Sequence, residues 1–217
     1  MLAPLLLTLK VASAATLMAL VAGVVAARLI ARYRFPGREV IDALCTLPMV
    51  MPPTVLGYYL IVVIGRRGWL GAWLWERLGI TLMFTWEGAA LAAAVVAFPL
   101  VFKGARAAFE GVDRQLEGAA RTLGVSESGI FLRVTLPLAW RGVLAGTMLA
   151  FARATGEFGA TLMVAGNIPG RTQTLSLAVY DAVQRGDDRF AAYLVAVTSV
   201  VCVAILLGAG KLLKPRT

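Results

Sequence analysis

Histidine is absent from this 217-residue chain, and with it goes the commonest general base and metal ligand. Its two cysteines, Cys45 and Cys202, lie far apart in or beside apolar runs, without a CxxC pair, so zinc, haem and disulfide frameworks have no basis. Only 12 residues are acidic, and the apolar runs hold no pair of acids and no nucleophile set beside a base, which argues against a membrane-embedded enzyme. The sequence also lacks a GxxxxGK[ST] phosphate loop and therefore has no ATP site of that kind. Charged residues amount to 15% against 59% hydrophobic, and mean hydropathy is +0.80. So little polar surface cannot cover a soluble globule of this length, and the composition reads as an integral membrane protein built of helices, one transmembrane domain over residues 1–217.

Five apolar stretches read as crossings of a bilayer about 30 Å thick. The first, Leu5 to Ile30, holds charge only at its two ends, Lys10 and Arg28, and reads as an uncleaved anchor, because no charged segment precedes it and no small-residue cleavage site follows. The second, Thr46 to Ile64, carries Pro48, Pro52 and Pro53 within six positions. Proline frees backbone carbonyls that only protein neighbours or a water-filled cavity can satisfy at membrane depth, so this stretch is either a kinked entrance to a buried helix or a lining of a pathway. Trp69, Trp73, Trp75 and Trp86 mark the connector that follows as interfacial, with a short helix expected there. The third span is Gly88 to Phe102, the fourth Trp140 to Ala165 and the fifth Ala191 to Leu213. Between the last two, Leu175 to Val183 reads as a short helix outside the bilayer.

Between spans three and four lies a polar island. Val112, Leu116, Ala119 and Leu123 recur at helical spacing, with Asp113, Arg114, Glu117 and Arg121 between them, so residues 112–124 predict a short amphipathic helix. Gly124 closes it, Ser126 caps a second turn, and Pro137 is expected to stop that turn before span four. Two short helices in a loop between spans suggest a docking surface for a soluble partner; the competing reading is a helix resting on lipid.

Net charge is +9, but the basic residues are dispersed at the ends of apolar runs, without a basic face, which speaks for membrane topology and against nucleic acid. Arg28, Arg32, Arg34, Arg38, Lys103, Arg106, Arg114, Arg121, Arg133, Arg141, Lys211, Lys214 and Arg216 fall on one side of a five-span chain. Lys10, Arg66, Arg67, Arg77, Arg171, Arg185 and Arg189 fall on the other. The richer side should be cytoplasmic, placing the N-terminus outside and the C-terminus and the island inside.

Within span four, Arg153 and Glu157 stand one helical turn apart, where pairing offsets the roughly 2.5–3.5 kcal/mol that each charge would cost alone. The turn Asn167-Ile168-Pro169-Gly170-Arg171-Thr172 is rich in turn formers and donors and lies outside in this topology.

The island resembles that of the membrane subunits of bacterial and archaeal ABC importers, whose loop reads Glu-Ala-Ala, three residues, Gly, nine residues, Ile, one residue, Leu-Pro. Ala119-Ala120, Gly124, Val134 and Leu136-Pro137 fall at those spacings, while Gly118 stands at the acidic position with Glu117 one residue before it. A finer resemblance, to the molybdate permeases and their sulfate-permease relatives, covers 46–57, 156–161 and 167–174.

The resemblance implies a five-span permease whose coupling helix docks an ATPase through Leu116, Glu117, Gly118, Ala119, Ala120, Leu123 and Gly124. It implies two copies of the chain forming the pathway, two ATPase subunits that hold ATP and Mg, an external binding protein that delivers the oxyanion, and no cofactor in this chain. Molybdate, with tungstate, is the expected cargo; sulfate or thiosulfate is the alternative, and a channel a weaker one, since a passive pore needs no docking loop. Thr46, Pro48, Pro52, Pro53, Thr54, Arg153, Thr155, Glu157 and Thr161 are the pathway candidates. Glu157 is expected to be tied to Arg153 or to backbone donors, since a free carboxylate about 4 Å from the path would repel a dianion by several kcal/mol at an effective dielectric of ~20.

Overall fold

Small side chains decide how the helices meet. In a bilayer, lipid is as apolar as leucine, so helices associate where small residues allow close packing. Helix α1 (Leu2–Arg32) lays Ala12, Ala15 and Ala19 against Ala89, Ala90, Ala93 and Ala97 of α5 (Trp86–Glu110). A Cβ on Gly23 would lie 2.9 Å from the Val101 side chain. Helix α8 (Leu136–Thr155) crosses α5 at a glycine seam, where a Cβ on Gly146 would stand 2.8 Å from the Leu100 carbonyl oxygen and one on Gly142 2.5 Å from Ala108.

These contacts fix direction. The computed structural model describes residues 2–33 and 35–213, all-helical among the described residues. Lys10 stacks on Trp86 at 3.6 Å and Gly23 meets Val101, so α1 and α5 run the same way. Gly142 meets Ala108 while Gly146 meets Leu100, so α8 runs the opposite way. Helix α11 (Asp188–Leu213) starts beside the start of α1, where Leu5, Leu175 and Leu194 share one cluster. Because α1 and α5 are parallel, the chain between them must return across the membrane. Helices α2 (Arg38–Val50) and α3 (Pro53–Ile64) make that return as a pair bent by 113°, giving five crossings with four continuous spans.

Three sequence expectations are corrected. The second span is no single helix from Thr46: α2 already begins at Arg38, and the chain breaks at Met51 and Pro52, each of which precedes a proline and is pushed to extended backbone. Pro53 then sits in the first turn of α3, where its missing N–H costs nothing.

Pro137 does not stop a turn. Helix α7 (Glu127–Ile130), a π turn (Phe131–Thr135) and α8 form one 29-residue rod. In the π turn the Leu136 N–H reaches back five residues to the Phe131 carbonyl, and that widening gives the proline ring room.

Span four is not continuous to Ala165 either. Helix α8 ends at Thr155, and α9 (Gly159–Ala165) begins after a break.

The short elements lie where the sequence predicts them, as α4 (Trp69–Leu78), α6 (Arg114–Thr122) and α10 (Leu175–Gln184). Helix α10 buries Leu175, Leu177, Ala178 and Ala182, and the Leu175 N–H donates to the Thr8 hydroxyl at 2.8 Å, tying it to α1. Of the cations counted for topology, Arg34, Lys214 and Arg216 and the side chain of Lys211 lie outside the described residues.

Candidate functional site

At the end of the bundle that gathers the cations, the island folds from local signals. The Asp113 carboxylate accepts the Gln115 N–H at 2.9 Å and opens α6. Gly124 turns the chain out with φ of 76°, a backbone shape that costs other residues about 1–2 kcal/mol. The Ser126 hydroxyl then accepts the Gly129 N–H to start α7.

Helix α6 has two faces. Leu116 and Leu123 are 49% and 82% exposed and Ala119 is exposed beside them; no residue of the helix is buried. Ala120 and Gly118 are half-buried, and a Cβ on Gly118 would meet nothing. The other face is tied inward by charge. Glu117 pairs with Arg28 at 3.3 Å and accepts a hydrogen bond from the Thr135 hydroxyl. Glu127 pairs with Arg32 at 3.0 Å and with Arg121 at 2.7 Å, and this carboxylate holds the Arg121 guanidinium above its ordinary pKa. Glu117 thus departs from its expected place among the outward contacts: it belongs to the face that grips α1 and the π turn.

Further ion pairs brace the same end. Asp42 of α2 takes Lys103 at 2.8 Å and Arg106, both of α5, and Glu110 takes Arg38 and Arg106. The cations assigned to one side by sequence, where described, do meet at one end of the bundle. Sequence patterning does not single out their acidic partners; the only signal for them is an isolated acid at the same helical depth as the basic cluster.

Far along the same rod, the two broken spans meet. A Cβ on Gly57 would lie 2.6 Å from Met163 of α9, and one on Gly159 would lie 2.9 Å from Pro53. The proline motif and the Gly156–Thr161 motif, about a hundred residues apart in sequence, are therefore packed together. Pro52, Pro53 and Thr54 are exposed beside this contact, Pro48 is half-buried, and Thr46 spends its hydroxyl on the Asp42 carbonyl. Thr155 and Thr161 do not present hydroxyls to an open path as expected: both are buried, and Thr155 donates to the Ala152 carbonyl. Glu157 lies in the break, buried, with one carboxylate oxygen 2.8 Å from Arg153 and the other accepting the Ala160 N–H at 2.9 Å.

The turn after α9 is pinned rather than loose. The Thr172 hydroxyl, fully buried, accepts the Ile168 N–H at 3.0 Å. Asn167 is half-buried, while Pro169, Gly170 and Arg171 are exposed, with Gly170 at φ of 75°.

The chain thus carries an exposed apolar stripe at the foot of a rod of roughly 44 Å and a broken span at its head. Residues 19–217 match the family described as "Binding-protein-dependent transport system inner membrane component". The chain belongs to this family. As such it is a multi-pass membrane component of a transport system and not an enzyme. The "Molybdenum transport system permease protein ModB" of Escherichia coli (strain K12) is 46% identical over 93% of this chain and 88% of that one. A relative from Nephroselmis olivacea, 36% identical over 92% of this chain and 70% of that one, carries a sulfate transport permease name. Among solved structures, inward-facing conformations of the MetNI methionine ABC transporter share the fold, with a TM-score of 0.74 at 16% identity, covering 97% of this chain and 93% of that one.

Proposed function

We propose that this permease is the pathway-forming subunit of an ATP-driven importer for molybdate, with tungstate as a second cargo. The observation that carries the importer reading is the pairing of faces on α6: one anchors the helix to α1 and the rod, the other leaves Leu116, Ala119 and Leu123 exposed. An exposed apolar stripe on an otherwise braced polar helix calls for a groove on a soluble partner. Residues 112–124 act as the coupling element, two ATPase subunits supply ATP and Mg, and a second copy of the chain completes the pathway. The N-terminus lies outside, because the cation-rich end, with the island, faces the cytoplasm. An external binding protein delivers the oxyanion near the turn at 167–172.

In the mechanism, closure of the ATPase dimer on ATP moves α6. Because Glu117 and Glu127 lock α6 and α7 to α1 and to the rod, the displacement passes to the broken spans at the far end, where α3 and α9 slide against each other. Broken helices suit this role, since their freed backbone groups are tolerated only where a cavity or protein surrounds them.

Molybdate over sulfate rests on the 46% against the 36% identity of the named relatives. Reconstitution with the cognate ATPase and binding protein tests the reading: labelled molybdate should cross to the ATPase side only when ATP is supplied there. Accumulation without the ATPase would support a channel instead.

A further inference from the structure

We infer that Arg153 is a contact for the tetrahedral oxyanion inside the pathway, set in place by Glu157; this rests on the molybdate reading above. Arg153 lies in the last turn of α8, and its neighbours Ala150 and Ala154 are buried in the same cluster as Ala12, Ala15, Ala90 and Ala93. It therefore lies within the helix bundle. Its side chain is nevertheless 37% exposed, whereas that of Glu157 is 2% exposed. A guanidinium open to acyl chains is unfavourable even on permissive scales. The Arg153 head is held in place, because Glu157 is fixed in the break by the Ala160 N–H and keeps the guanidinium at 2.8 Å. The exposed edge of Arg153 must then face water, and the water-bearing surface at this depth is the pathway.

The chemistry fits a tetrahedral oxyanion. Of the five N–H donors of a guanidinium, Glu157 engages one amino group, which leaves others on the open edge in a planar fork matched to paired oxygens. Glu157 itself is turned away: its second oxygen accepts the Ala160 N–H, so both oxygens point into the protein. A passing dianion meets donors first, with the negative charge behind them. The ion pair has no net charge, so the anion is held by hydrogen bonds without a full unpaired cation, and a contact along a pathway must let go as well as bind. Gly159, just past Glu157, packs on Pro53, so the contact sits beside the segments that move.

The test uses the full complex with its ATPase and binding protein in vesicles. Arg153→Ala should lower molybdate uptake at least tenfold. Arg153→Lys, which keeps the charge and loses the fork, should recover only part of it. Arg153→Cys, in a chain whose Cys45 and Cys202 are replaced, should react with a membrane-impermeant cationic thiol reagent, and saturating molybdate should slow that reaction at least threefold. Uptake by Arg153→Ala equal to native would overturn the inference, as would an Arg153→Cys variant that reacts equally with and without molybdate or never reacts. If Arg153→Ala does not assemble, the labelling result decides. A native complex that imports no molybdate would instead defeat the molybdate reading itself.

Discussion

Replacing Glu117 with alanine separates an internal strut from a partner contact. Arg28 and Glu117 stand 3.3 Å apart with side chains 15% and 18% exposed. Their gross attraction is about 5 kcal/mol at an effective dielectric of ~20, but most of it is offset by desolvation, leaving the ~1.5–3 kcal/mol of a hydrogen bond to a charged group. Removal also strips the Thr135 hydroxyl of its acceptor. Taking about 2 kcal/mol, local opening of α6 becomes roughly thirtyfold more frequent, at ~1.4 kcal/mol per decade. Amide hydrogen exchange of the purified permease, with no ATPase present, should show that acceleration over residues 114–122 and not along α5. Glu117→Gln, which keeps an acceptor, should give about half the free-energy effect. A double cycle with Arg28→Met should return a coupling of about 1–2 kcal/mol. Unchanged exchange in the isolated permease, with loss seen only in ATPase binding, would refute the strut and return Glu117 to the docking surface.

Leu123→Asp should leave permease stability within about 0.5 kcal/mol, since the side chain is 82% exposed, yet abolish co-purification of the ATPase in detergent. Gly146→Val should destabilise the bundle by about 1–3 kcal/mol, read as a lower unfolding temperature, because the new Cβ stands 2.8 Å from a backbone oxygen that cannot move aside. Single cysteines at Gly170 and Leu123 should react with impermeant reagents from opposite faces, Gly170 from outside; labelling of both from one face would invert or break the topology.

The apolar runs and their order are legible in the sequence because membrane length imposes a pattern that needs no tertiary knowledge. The cation-rich end is legible for the same reason, through Arg28, Arg32, Lys103 and Arg106. Prolines announce a disturbance in span two, and the X-Pro rule places it at Met51 and Pro52, but the 113° bend depends on packing against α9. The break in span four is hidden. Arg153 and Glu157 fit an unbroken helix at i and i+4 so well that they mask the breaking signal of the flanking Gly156 and Gly159. Pro137 misleads in the opposite sense, since a π turn can absorb a proline that an α-helix would reject. The Glu117 partner cannot be read from sequence at all: Arg28 is 89 residues away, and only the parallel packing of α1 with α5 and the return of the island to the foot of α1 bring the two together.

One measurement reaches the central claim, ATP-driven oxyanion import through this permease: ATP hydrolysis and uptake by the reconstituted complex, with molybdate, tungstate and sulfate compared at equal concentration with the cognate binding protein. Molybdate and tungstate should stimulate hydrolysis and accumulate in the vesicles, with sulfate near the unstimulated rate. Stimulation by sulfate alone would reassign the cargo, and uptake that proceeds without ATP hydrolysis would contradict the coupled importer.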